Sequence, residues 1–202
     1  MAVVDLLRRL LMLCIALASA AVPRSGGGLT VRYFAYGSNL AASVREGRRK
    51  LSPISAAPGF VKDHRLAFNM PGFSPSEPAF ASIARAPGEE CHGGVYELGL
   101  SDWAKLCASE GVPFGYRVID VEVELYAGER VQAWTLEGGL PAFVGDLPPS
   151  ERYLALLRDG ARELGLTRAW QERLAQVQTA PLGTRPPMQA EAFERRPGAT
   201  FV

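Results

Sequence analysis

Residues 116–126 read YRVIDVEVELY, with Val118, Val121, Val123 and Leu125 set against Asp120, Glu122 and Glu124. A period of two is that of a strand with one buried and one solvated face. Gly128-Glu129 then turns the chain into RVQAWTL (130–136), the expected partner of a hairpin. One face of such a pair must be covered by other parts of the chain, so this stretch demands a sheet with a packed side.

Further strands are expected at VRYFAY (31–36), FVKDHRLAFN (60–69), FASIAR (80–85) and CHGGVYEL (91–98). The Gly93-Gly94 pair in the last signals a bulge or a close backbone approach. Proline and small residues predict loops at 52–59 and 70–78, and Pro87-Gly88 predicts a turn. A short amphipathic helix is expected over 39–51, capped by Ser38 or Asn39. A second runs from the Ser101 cap to Ser109-Glu110, with Trp103, Leu106 and Cys107 on one face and Gly111 as its stop. Two more occupy 150–164 and 168–177, the first closed by Gly165. Strands fill the first two-thirds and helices close the chain, an order that favours α+β over a doubly wound parallel sheet.

The remaining totals exclude several kinds of chemistry. A net charge of +1 over 202 residues provides no global field for nucleic acid or an anionic membrane. The basic run Arg48-Arg49-Lys50 reads as a solvated helix end. Three cysteines form no CxxC, and His64 and His92 are the only histidines, so neither a metal cluster nor a histidine-based nucleophile is expected. Both histidines read as structural or exposed, and Cys91 and Cys107 as small core residues. Chemistry is left to carboxylates and backbone groups.

One place concentrates backbone groups. In YFAYGSNL (33–40) a hydrophobic strand stops at Gly37 and enters a helical segment through Ser38 and Asn39. Such a turn leaves N–H groups pointing one way, a nest for a carboxylate or an oxyanion. By spacing alone, a plain strand-to-helix turn with a capping residue explains it as well.

YFAYGSNL also resembles the signature loop of the γ-glutamylcyclotransferase family. Two later stretches are similar to other family motifs: ASEGVPFGYRVIDVEV (108–123) and LPPSERYLALLRDGARELGL (147–166), the latter followed by AWQERL. The resemblance spans roughly residues 31–178. It implies a small mixed-strand β-barrel with peripheral helices and a cofactor-independent, metal-free enzyme. The implied reaction turns a small γ-glutamyl substrate into 5-oxoproline and a free amino acid. Carried over by motif, Glu110 is the catalytic acid/base. Tyr36, Gly37, Ser38, Asn39, Leu40, Tyr116 and Tyr153 are the substrate-binding residues. The expected place of Glu110, at a helix end among Trp103, Val112 and Phe114, favours its neutral form. Trp134 stands where a smaller aromatic is expected, which would reshape the acceptor side of the pocket. Two alternatives stand beside this reading: a γ-glutamylamine cyclotransferase, and a non-catalytic module that binds a small acidic ligand.

The ends are organised differently. Two arginines, the apolar run LLMLCIAL and Ala18-Ser19-Ala20 give the order of a cleavable targeting leader, followed by a Gly-rich spacer. Residues 1–28 are therefore expected to be leader and spacer, 29–178 the domain, and 179–202 a loose tail. The leader implies secretion or organelle import and no membrane span after its removal; without it the cytoplasm is expected. N-terminal sequencing of the mature protein is expected to begin after Ala20. A start at Met1 or Ala2 sinks the cleavage idea.

Overall fold

A computed structural model of the chain describes residues 21–23, 29–74, 76–139 and 145–181. Most of the expected leader and tail lies outside them. The strands are β1 (Ala21–Pro23), β2 (Leu29–Ala35), β3 (Ser55–Ser74), β4 (Glu77–Gly99), β5 (Tyr116–Leu125) and β6 (Arg130–Gly138). The helices are α1 (Leu100–Ser109), α2 (Glu151–Glu163) and α3 (Arg168–Gln176).

The sheet order is β1-β2-β4-β3-β5-β6, and β6 returns to pair with β2. That last pairing is parallel, with Tyr33 opposite Trp134, whereas all the others are antiparallel. The five strands from β2 to β6 thus form a closed ring of mixed direction, the α+β architecture expected. At the β3–β5 seam, a side chain on Gly59 would lie 2.8 Å from the Glu124 carbonyl oxygen. Gly93 is equally constrained, since a Cβ there would meet the Ala35 carbonyl at 2.2 Å. Gly93 therefore marks a close approach of β4 to β2, and Gly94 one to Leu164, whose Cδ2 a Cβ there would meet at 2.3 Å. Phe34, Tyr96, Leu98, Trp103, Leu106 and Ile83 are completely or almost completely buried inside and beside the ring. Each contributes roughly 1.5–3 kcal/mol of burial. Burial pushes the Cys107 thiol up to about 12, and Cys91 is buried as well; both are free thiols, as core cysteines should be.

Three local expectations are corrected. The predicted loop at 70–78 is the tip of a long β3–β4 hairpin, since strand pairing runs out to Ser74 opposite Glu77. Pro71 and Pro78 sit beside an irregular stretch of the ladder, with register shifts between Ala67 and Met70 and between Pro71 and Ser74. The turn at Pro87-Gly88 is a bulge within β4. Gly88 (φ 81°) donates its N–H to Asp63 Oδ1 at 2.8 Å, opposite an irregularity at Asp63 itself (φ 55°). The predicted loop at 52–59 becomes strand from Ser55 onward. The short N-terminal strand β1 pairs with β2 at the edge of the sheet, within the segment assigned to leader and spacer.

The expected helix over 39–51 is also broken. It becomes a 3₁₀ turn at Ser38–Leu40 and a wide π-helical segment at Ser43–Arg48. The cause is Arg45. Its buried guanidinium donates through Nη1 to the Leu40 carbonyl (2.8 Å) and the Asn39 carbonyl (3.3 Å). Those are the acceptors that a continuous helix would give to main-chain N–H groups.

α2 begins at a Ser150 cap that accepts from the Tyr153 N–H at 3.0 Å, and it packs on the 38–40 turn. The contact is made possible by Gly160, where a Cβ would lie 2.4 Å from Ala41 N and from Leu40 C and Cβ. Helix propensity alone favours Gly160→Ala by about 1 kcal/mol. Overpacking against backbone is expected to outweigh that, with a net loss of about 1–2 kcal/mol. Urea denaturation checks the sign. A more stable variant would show that the turn yields freely.

Candidate active site

A cavity of about 720 Å³ opens between the 37–39 turn, the end of α1, the β3–β4 hairpin and α2. The fold brings most of the expected residues to it. Tyr36, Gly37, Ser38, Asn39, Glu110, Tyr116 and Tyr153 all line it. Leu40 does not. Its side chain is buried against α2, so it anchors the turn from below. Trp134 also lies outside the lining, on β6 at the parallel seam.

The turn consumes part of its own hydrogen-bonding capacity. Leu40 N–H donates to the Gly37 carbonyl (3.0 Å) and Ala41 N–H to the Ser38 carbonyl (3.1 Å). The expected nest therefore narrows to Gly37, Ser38 and Asn39. Gly37 sits under a low ceiling, because a Cβ there would be 3.3 Å from Ala81 Cβ and 3.4 Å from the Tyr153 hydroxyl.

Glu110 caps α1 and points its carboxylate into the cavity, with its side chain 14% exposed. Its surroundings are not the apolar ones expected. Oε1 accepts from Asn39 Nδ2 at 2.8 Å and lies 2.7 Å from Arg49 Nη2. Arg49 Nε also donates to Asn39 Oδ1 at 2.7 Å, and Asn39 Nδ2 reaches the Tyr33 hydroxyl at 3.0 Å. Arg49 does not belong to the expected solvated helix end: its side chain is mostly buried and ion-paired. No sequence periodicity marked it, because the helix expected to carry it is broken. Tyr33, three residues before Tyr36, carries no signal either.

Tyrosines complete the wall. The Tyr116 hydroxyl donates to the Ala81 carbonyl (2.9 Å), the Ala81 N–H donates to the Tyr153 hydroxyl (3.0 Å), and Tyr36 donates to the Leu136 carbonyl. Burial pushes the phenols of Tyr33, Tyr36 and Tyr116 well above their usual range and that of Tyr153 up to about 12. All four stay protonated at neutral pH and act as neutral hydrogen-bonding groups. The rest of the lining is apolar at Met70, Phe80, Phe114 and Leu156, with the exposed Arg48 and Arg152 adding positive charge.

The histidines lie elsewhere. His92 stacks near Trp170 (4.9 Å between centroids) and bonds the Tyr126 hydroxyl at 2.6 Å. Among the described residues no group of three or more His, Cys, Asp or Glu is placed to hold a metal, and no helix is long and apolar enough to cross a membrane.

The mixed α+β architecture agrees with the comparisons to known proteins. The AIG2-like family model matches residues 90–174, which include Glu110, Tyr116 and Tyr153. The gamma-glutamyl cyclotransferase aclK of Aspergillus oryzae is 33% identical over 151 residues, covering 65% of this chain and 55% of that one. The gamma-glutamylcyclotransferase of Mus musculus is 32% identical over 155 residues, covering 75% of this chain and 80% of that one. A solved structure named gamma-glutamyl cyclotransferase superposes with a TM-score of 0.63 at 27% identity, covering 83% of this chain and 99% of that one. The chain thus spans about half of the fungal relative and about four-fifths of the mouse relative. It belongs to the gamma-glutamylcyclotransferase family and is an enzyme of that type.

Proposed function

We propose that the chain cyclises L-γ-glutamyl amino acids, releasing 5-oxoproline and the free amino acid, with Glu110 as acid/base. The observation that carries this reading is the Glu110 carboxylate, held on one oxygen and enclosed opposite the Gly37–Asn39 turn. A protein that only holds a ligand has no use for a carboxylate so placed.

The chemistry follows from the groups present. The substrate's α-ammonium gives a proton to the Glu110 carboxylate. The freed amine attacks the γ-carbonyl carbon and forms the five-membered ring. The tetrahedral oxygen collects negative charge, and the donors of the Gly37–Asn39 turn are the groups suited to receive it. The C–N bond to the leaving amino acid then breaks as Glu110 returns that proton to the leaving nitrogen, and the second proton shed by the attacking nitrogen as it becomes the lactam N–H passes to the departing amine by the same carboxylate. Nucleophile and electrophile share one molecule, so fixing the conformer supplies on the order of several kcal/mol. The narrow space above Gly37 favours a folded glutamyl chain.

The charge at the mouth favours an amino acid over an amine as leaving group. Arg49 is ion-paired with Glu110 and Arg152 with Glu77, whereas Arg48 makes no ion pair or hydrogen bond with any described residue. A departing amino acid brings a carboxylate to match it; a departing amine brings none.

Release of 5-oxoproline from L-γ-glutamyl-L-alanine is expected for the full chain. It should fall about 10²–10⁴-fold in Glu110→Gln. Release that survives this change removes Glu110 from its role. A folded wild type that turns over no γ-glutamyl amide favours the binding module. In a second comparison, Arg48→Gln should raise KM for γ-glutamylalanine by about 3- to 10-fold and leave KM for γ-glutamylethylamine unchanged. Equal effects on both substrates count against the carboxylate match.

A further inference from the structure

We propose that Arg49 is the positioning residue of this site: its guanidinium fixes the Asn39 amide and loads one oxygen of Glu110, leaving Oε2 as the oxygen that carries the proton. The proposal rests on the cyclotransferase reading above and assigns a role within it.

The geometry is that of a fork. Nε donates to Asn39 Oδ1 at 2.7 Å, Nη2 lies 2.7 Å from Glu110 Oε1, and Nη1 donates to the Ser109 hydroxyl. One planar group thereby ties the 38–40 turn to the end of α1, two segments about seventy residues apart in sequence. The guanidinium and the carboxylate are 16% and 14% exposed, so the pair is shielded from much of the solvent screening that weakens surface ion pairs.

Two consequences follow. Arginine has donors only, so the amide edge that faces it must be the oxygen. Asn39 Nδ2 is then forced toward Glu110 and Tyr33, which is the observed orientation. With Arg49 removed, the amide is free to flip and set its oxygen against the carboxylate. Second, Oε1 takes both donors, from Asn39 and Arg49, while Oε2 takes none from the described residues. The two oxygens of one carboxylate are made unequal, and the unoccupied one meets the substrate.

Charge and geometry can be separated experimentally. Lysine keeps the charge but lacks the fork. The other titratable groups around Glu110 are the phenols of Tyr33 on β2, Tyr116 on β5 and Tyr153 on α2, and the Cys107 thiol on α1, all held protonated by burial.

The test measures kcat and KM for 5-oxoproline release from L-γ-glutamyl-L-alanine by the wild type, Arg49→Met and Arg49→Lys, each checked for folding by denaturation. Arg49→Met is expected to lose about 100-fold in kcat while KM changes by less than about 3-fold. Arg49→Lys keeps the charge without the fork, and its kcat is expected to fall at least 10-fold as well. Wild-type kcat in folded Arg49→Met, full kcat in Arg49→Lys, or a loss confined to KM overturns the proposal. A wild type that releases no 5-oxoproline overturns the reaction reading first, and this role with it.

Discussion

The turn from Gly37 to Leu40 leaves two carbonyl groups without helical partners, and a buried guanidinium takes both. Arg45 sits 4.3 Å over the Tyr96 ring and bonds the Tyr96 hydroxyl at 3.0 Å, so its own place is set by β4. From there it holds Asn39 and Leu40 by their backbones. An unsatisfied buried carbonyl would cost about 1–3 kcal/mol, so the chain follows the arginine rather than continuing a helix. The position of the Asn39 side chain, and through it the carboxylate of Glu110, depends on this arrangement. Two arginines thus share one turn: Arg45 grips its main chain from the core, and Arg49 grips its side chain from the cavity.

The basic run at 48–50 shows how far neighbours in sequence can diverge. Arg48 faces the cavity mouth, Arg49 lies inside against Glu110, and Lys50 adopts a left-handed backbone (φ 54°) that ends the segment. A π-helical stretch has a wider turn than an α-helix, so its side chains leave at angles that a 3.6-residue period does not describe. Three like charges in a row look like one solvated feature until that angle is known.

Much of the ring and of the site was legible in the sequence. Period-two alternation marked β5, Gly111 and Gly165 marked helix ends with positive φ, and the strand-Gly-Ser-Asn junction marked one wall of the cavity. These are local signals, and their cause lies within a few residues. What escaped notice depends on partners far away. Prolines at 71 and 78 read as loop because nothing local says that each strand of the hairpin has the other beside it. Glu110 was placed at a helix end correctly, but its apolar neighbourhood was inferred from adjacent residues. The groups that touch it come from positions 39 and 49.

The long β3–β4 hairpin divides its ladder in two. In the ladder, residues near Gly59 and Phe60 pair with β5 and residues 94–99 with β2, whereas from His64–Arg85 outward to Ser74–Glu77 the two strands pair only with each other, and side chains alone tie them to the ring, as Tyr116 to Ala81 and Ser82 to Gly138. Met70 and Phe80, which line the cavity, belong to that outer part. The pairing that closes the ring and the pairing that shapes this wall therefore lie on different stretches of one hairpin. A change of hairpin length beyond the Pro71–Ala79 pair would alter the outer strands while leaving the β2–β6 pairing of Tyr33 with Trp134 in place.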